Sequence, residues 1–69
     1  MKVYDIKTGD IITYRSGRKN NVNNPYRYFK YFNDNFENKT KGIDFDIMKI
    51  QRYVKILWFY KLKTLYRRR

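Results

Sequence analysis

Fourteen of the 69 residues are aromatic: eight Tyr, five Phe and Trp58. Each ring hides about 150–250 Å² when fully enclosed, and a chain this short has little interior to offer. Several rings must therefore lie on the surface, whatever the fold. The chain also has no Cys and no His, so neither a disulfide nor a Cys/His zinc site can staple it. Stability has to come from a small core of β-branched and aromatic residues, which favour strands.

The order of strand and turn signals predicts a mainly β domain. Val3–Ile6 reads as a short first strand and Thr8-Gly9-Asp10 as a turn. Ile11–Tyr14 are all strong strand formers. Arg15-Ser16-Gly17-Arg18 is a hairpin signal, because Gly takes the positive φ a tight turn needs. The strand resumes at Lys19 and runs to Val22. The asparagines at 20, 21, 23 and 24 lead to Pro25, which marks a strand start. In Tyr26–Phe32, YRYFKYF, a strand would set Tyr26, Tyr28, Lys30 and Phe32 on one face and Arg27, Phe29 and Tyr31 on the other. Residues 33–42 form a turn-rich connection anchored by Phe36.

From Ile43 onward the apolar residues alternate with period two, which places Trp58 on a core strand. Ile43, Ile47, Ile50, Val54 and Leu57 also fit a helix stripe, so the alternative is an α+β fold with a C-terminal helix around residues 45–66. The favoured reading is a small half-barrel of about five strands, one domain over residues 1–66, with a frayed basic tail at 67–69.

Charge narrows the function. Seventeen Lys and Arg stand against six Asp and Glu, a net of +11. Residues 1–48 carry net +3, and residues 49–69 carry net +8 with no acid at all. Such asymmetry implies an anionic partner. Without His the commonest general base and the Ser-His and Cys-His nucleophile systems are gone, so no enzyme, cofactor or metal is expected. Asp44 and Asp46 read as strand-entry acids that pair with nearby cations, not as a metal or acid/base pair. Residues 1–5 lead into polar sequence without an apolar leader, which points to the cytoplasm.

Two segments, TGDIITYRSGRK (8–19) and NDNFENKTKGIDFDIMKI (33–50), resemble short proteins of phages and prophages of low-GC Gram-positive bacteria. The terminal LKTLYRR is similar to the close of the same pattern. The resemblance implies an SH3-like, strongly bent sheet and brings no catalytic residues. It places the chain in a host cytoplasm, where inhibition of a host defence nuclease is one concrete role.

The candidate surface interleaves cations and rings. Arg15, Arg18, Lys19, Arg27, Lys30, Arg52, Lys55, Lys61, Lys63, Arg67 and Arg68 are the expected nucleic-acid contacts, and Tyr26, Tyr28 and Tyr31 the expected stacking rings. Tyr28 should outweigh Tyr31, because as a strand residue it shares a face with Lys30. A flat ring accepts a base while Arg or Lys meets the phosphate. The expected partner is nucleic acid or a nucleic-acid-bound host protein. The alternatives are a small anionic nucleotide held as by a sponge, and a protein-protein module. Surplus ring surface predicts a homo-oligomer. The segment VKILWFYKLKTLYRRR is read as a core strand with a charged back, so a membrane partner is not expected.

Overall fold

Ile11–Tyr14 (β1) and Lys19–Asn21 (β2) pair antiparallel, with Ile11 opposite Asn21 and Thr13 opposite Lys19. The turn closes as the sequence indicates. The Gly17 N–H donates to Tyr14 O at 2.9 Å, and Gly17 sits at φ +90°, a region that suits glycine. This computed structural model describes residues 1–40 and 42–68. Lys41, inside the expected connection, and Arg69, the end of the expected tail, lie outside the described residues.

Ile47–Ile56 (β3) and Phe59–Arg67 (β4) complete one antiparallel sheet in the order β2-β1-β3-β4. The result is mainly β, a small half-barrel-like sheet with one helix. It has four strands among the described residues where about five were expected. Register shifts at Thr13/Tyr14 and Ile50/Gln51 are the kind of bulge that bends a strand and raises its twist. The C-terminal helix alternative does not form, since residues 47–56 and 59–67 are hairpin strands. Their β-branched and aromatic content decides between the two periodicities.

The missing strand is Tyr26–Phe32. Pro25–Tyr31 is instead a short helix, α1. Asn24 Oδ1 accepts from the Tyr26 N–H at 3.1 Å, and Pro25 stands at the first helical position. That is the favoured cap-and-proline start of a helix. Helical spacing puts Tyr28 and Phe32 together, both buried, with Phe29 packed beside them. Val3–Asp5 is a 3-10 turn and not a strand; the Asp5 carboxylate accepts from the Lys2 N–H at 2.8 Å. Ile43–Phe45 is a second such turn before β3.

The core is Val3, Ile6, Ile12, Val22, Tyr28, Phe32, Phe36, Ile47 and Ile50. Phe36 anchors its loop as expected. Two polar groups tie the periphery to this core. Asp10, fully buried, pairs with Arg52 (Nε to Oδ1 at 2.7 Å, Nη2 to Oδ2 at 2.8 Å). Asp46 accepts from the Asn38 N–H at 2.9 Å and from Arg68 Nη1 at 3.5 Å. Arg68 also donates to Asn35 O and, through its backbone N–H, to Met48 O at 2.8 Å. The tail expected to fray is therefore docked at residue 68, and Arg67 belongs to β4.

Trp58 is not in the core. β1 pairs with β3 only as far as Gln51, so residues 52–63 project as a two-stranded ribbon. The molecule accordingly measures 41 × 23 × 18 Å. Trp58 lies in the turn at the ribbon's end and is 84% exposed. Period two continues across Leu57 and Trp58 and so hides the turn between the strands, and it does not say whether anything covers them. Trp58→Ala should therefore shift stability by no more than about 0.5 kcal/mol, as for an ordinary surface change. A urea midpoint that collapses in this variant would contradict the placement.

Candidate nucleic-acid interface

A cleft of about 340 Å³ opens between the β1–β2 hairpin, the asparagine-rich loop, α1 and the turn before β3. Its walls are aromatic: Tyr14, Tyr28, Tyr31, Phe32 and Phe45. Its rim is amide: Asn20, Asn21, Asn23, Asn24 and Asn38, with Arg27 beside them. The size falls in the range of small-ligand sites.

Each wall has an identifiable support. The Tyr28 and Phe32 rings stack at 5.8 Å and 20°, and Tyr14 lies over Phe32 at 6.3 Å and 24°. Phe45 meets Tyr14 edge-on at 6.4 Å. The Tyr28 hydroxyl accepts from Asn20 Nδ2 at 2.8 Å and from the Tyr14 hydroxyl at 3.4 Å. The rings are thus held in place by one another and by the hairpin.

Burial is the main reason the Tyr28 phenol is held well above its ordinary value; the Asn20 amide, which donates to its oxygen, pulls the other way and only partly offsets it. An acid whose folded pKa is raised lends stability that is intact below the unfolded value of about 10 and fades as pH climbs past it. Alkaline titration should show Tyr28 ionising late, and Tyr28→Phe should remove that late phase. A titration curve unchanged by Tyr28→Phe at its alkaline end would contradict this.

The cations expected to form one surface do not do so: five gather around the cleft, three lie on the ribbon, and Arg67, Arg52 and Arg68 belong to neither group. Arg27 lines the cleft, Lys30 lies on the same helix, and Arg15, Arg18 and Lys19 follow Tyr14 around the adjacent hairpin. Lys30 Nζ sits 5.5 Å from the centre of the Tyr31 ring. Lys55, Lys61 and Lys63 lie on the projecting ribbon. Because Tyr14 pairs with Ile47 and Ile11 with Gln51, β3 carries that ribbon away from the cleft. Arg67 is exposed on β4, opposite Lys49. Arg52 and Arg68 are occupied by Asp10 and Asp46 and serve the fold.

The stacking rings also separate. Tyr28 is core and offers the cleft only part of its ring. Tyr31 is 38% exposed and has Lys30 beside its ring, so ring and cation come together at Tyr31 and not at Tyr28, where they were expected. Tyr26 is exposed outside the cleft, edge-on to Phe29. The sequence reading missed Tyr14, Phe45 and the asparagine rim. The signal for the rim was present as NNVNNP, amides on both sides of one buried valine, but there it counts only as the end of a strand and the approach to Pro25. Asp44 and Asp46 do not act as a pair: Asp46 is bound to Arg68 as a strand-entry acid would be. Among the described residues no group of three His, Cys, Asp or Glu is placed to hold a metal ion.

Comparison with protein-family models, with curated proteins and with solved structures gives no match.

Proposed function

We propose that the protein is a non-enzymatic binding module that takes an unpaired base of single-stranded nucleic acid into the cleft between the β1–β2 hairpin and α1. The observation that carries this reading is the combination of ring walls and an amide rim in one cavity, with Arg27 beside it. A base needs a flat apolar face and edge partners that both donate and accept, which asparagine supplies. Arg27, Lys30, Arg15, Arg18 and Lys19 would meet the flanking phosphates. The cavity is also large enough for a mononucleotide alone, which keeps the nucleotide-sponge reading as the second one.

Fluorescence anisotropy with a labelled ten-nucleotide strand, its duplex and a mononucleotide tests this directly. The strand should bind more tightly than the duplex. Tyr31→Ala should cost about 1–3 kcal/mol with little change in salt dependence. Arg27→Gln should flatten the salt slope by about 0.7, the value for one phosphate on a single strand. Equal affinity for strand and duplex would sink the cleft reading. Equal affinity for strand and mononucleotide would replace it by the sponge.

A further inference from the structure

We infer that the tip of the β3–β4 ribbon is a docking element for an anionic lipid surface. This goes beyond the cleft and uses none of its residues.

The ribbon is ordered by depth. Leu57 and Trp58 form the two-residue turn, 73% and 84% exposed. Ile56 and Phe59, also exposed, form the last pair of the ladder. These four contiguous residues are apolar, and the Trp58 indole N–H is the one polar side-chain group among them. The next pair back is Lys55 with Tyr60, then Val54 with Lys61, Tyr53 with Leu62 and Arg52 with Lys63. At about 3.4 Å per step the apolar cap reaches about 7 Å beyond Lys55. A peripheral element sinks about 5–10 Å into the headgroup and acyl boundary. Lys and Tyr then fall at the headgroup level, where such side chains settle.

Charge selects the occupant. Residues 47–68 contain no acid, and like charges face each other across the ladder at Lys49/Arg67. A second copy laid on the ribbon would bring six lysines together without a counter-charge. A nucleic acid would find an aliphatic Leu57 at the apex and, in the cap, only the single donor of the Trp58 indole to meet a base edge. Anionic headgroups meet the lysines while the cap leaves water. Leu57 also holds φ +56°, where glycine or asparagine sits more easily; a bulky apolar side chain occupies the apex all the same. No helix of the described residues is long and apolar enough to cross a membrane. The ribbon would rest in the surface, its unpaired outer edges still in the wet layer, since bare backbone groups are not tolerated in the hydrocarbon.

Trp58, the single tryptophan, reports the contact. Its emission should shift to the blue on adding vesicles of phosphatidylglycerol and phosphatidylcholine in equal parts. It should stay unchanged with phosphatidylcholine alone. Leu57→Asp should abolish co-sedimentation with the anionic vesicles. Replacing Lys55, Lys61 and Lys63 together by Gln should weaken it on the order of 100-fold. Far-UV spectra should match the unmodified protein for both variants, because neither touches the core. Three results would overturn the inference: no blue shift with anionic vesicles, a shift that follows protein concentration in their absence (a second copy covers the tip), or a shift produced by an oligonucleotide instead. Loss of strand binding by Tyr31→Ala would leave all of these readings untouched.

Discussion

Arg52→Gln should destabilise the domain by about 3–5 kcal/mol, enough to unfold much of it. The Asp10 side chain is 1% exposed and receives both Arg52 nitrogens, at 2.7 and 2.8 Å, together with the Lys7 N–H at 2.9 Å. Arg52 Nη2 donates as well to Asp5 O at 2.8 Å. Hydrogen bonding to Asp10 is the leading reason the guanidinium is held above its ordinary pKa. Removing the cation strands a carboxylate that cannot reach water. Removing the anion is milder, because the Arg52 side chain is 27% exposed and can turn outward. Asp10→Asn should therefore cost less than Arg52→Gln, and the double variant should recover part of the single Arg52 loss. Urea unfolding of the three variants measures this. Losses below about 1 kcal/mol for both Asp10→Asn and Arg52→Gln would mean the pair is solvated and contributes little.

This pair also marks where the sequence ceases to be readable. Arg52 looked like one more cation in a basic segment, and nothing local links it to an aspartate 42 residues away. Features that close locally were legible. Gly17 and the strand formers around it defined the β1–β2 hairpin, and Phe36 stood out as the single ring in a polar stretch; that Asp46 would meet a cation was legible, but not that the cation is Arg68, 22 residues on. Helix α1 was misread because Tyr and Phe favour strands, while the shorter cue in Asn24 and Pro25 settles the start of a helix. Once YRYFKYF is a helix, its rings divide by a period of 3.6 and not of two, so Tyr28 turns inward and Tyr31 outward. The ribbon shows the opposite limit. Its alternation was read as strand, which holds for residues 47–56 and 59–67 but misses the turn at Leu57 and Trp58; coverage in turn depends on how far β1 extends beside it, and β1 stops at Ile11 opposite Gln51. The cleft combines both limits. Its rings come from β1, α1 and the turn before β3, and only the fold makes them neighbours of the asparagines.

Phe36→Ala should be as damaging as the loss of Arg52, at about 3–5 kcal/mol. The ring is 1% exposed and lies 4.2 Å from the Tyr66 ring, centre to centre. Its backbone is fixed on both sides: the Phe36 N–H donates to Asn33 O at 2.9 Å, and Phe36 O accepts from the Ile47 N–H at 2.9 Å. Phe36 holds φ +60°, a conformation alanine finds no easier, so the substitution leaves the backbone cost in place while emptying the space. Asn33 Oδ1 accepts from the Asn35 and Glu37 N–H groups at 2.9 and 3.1 Å. These bonds shape the loop but bury little apolar surface. The ring is what presses the loop onto β3 and β4. Asn38, which lines the cleft, lies two residues on and bridges to Phe32. Losing the ring should therefore loosen the cleft before the sheet. Under conditions where Phe36→Ala still shows a native far-UV spectrum, strand binding should already be weakened, whereas Tyr26→Ala, on the exposed side of α1, should leave stability unchanged. Full strand binding by a destabilised Phe36→Ala protein would show that the loop does not shape the cleft, and would return the binding surface to the rings of α1 alone.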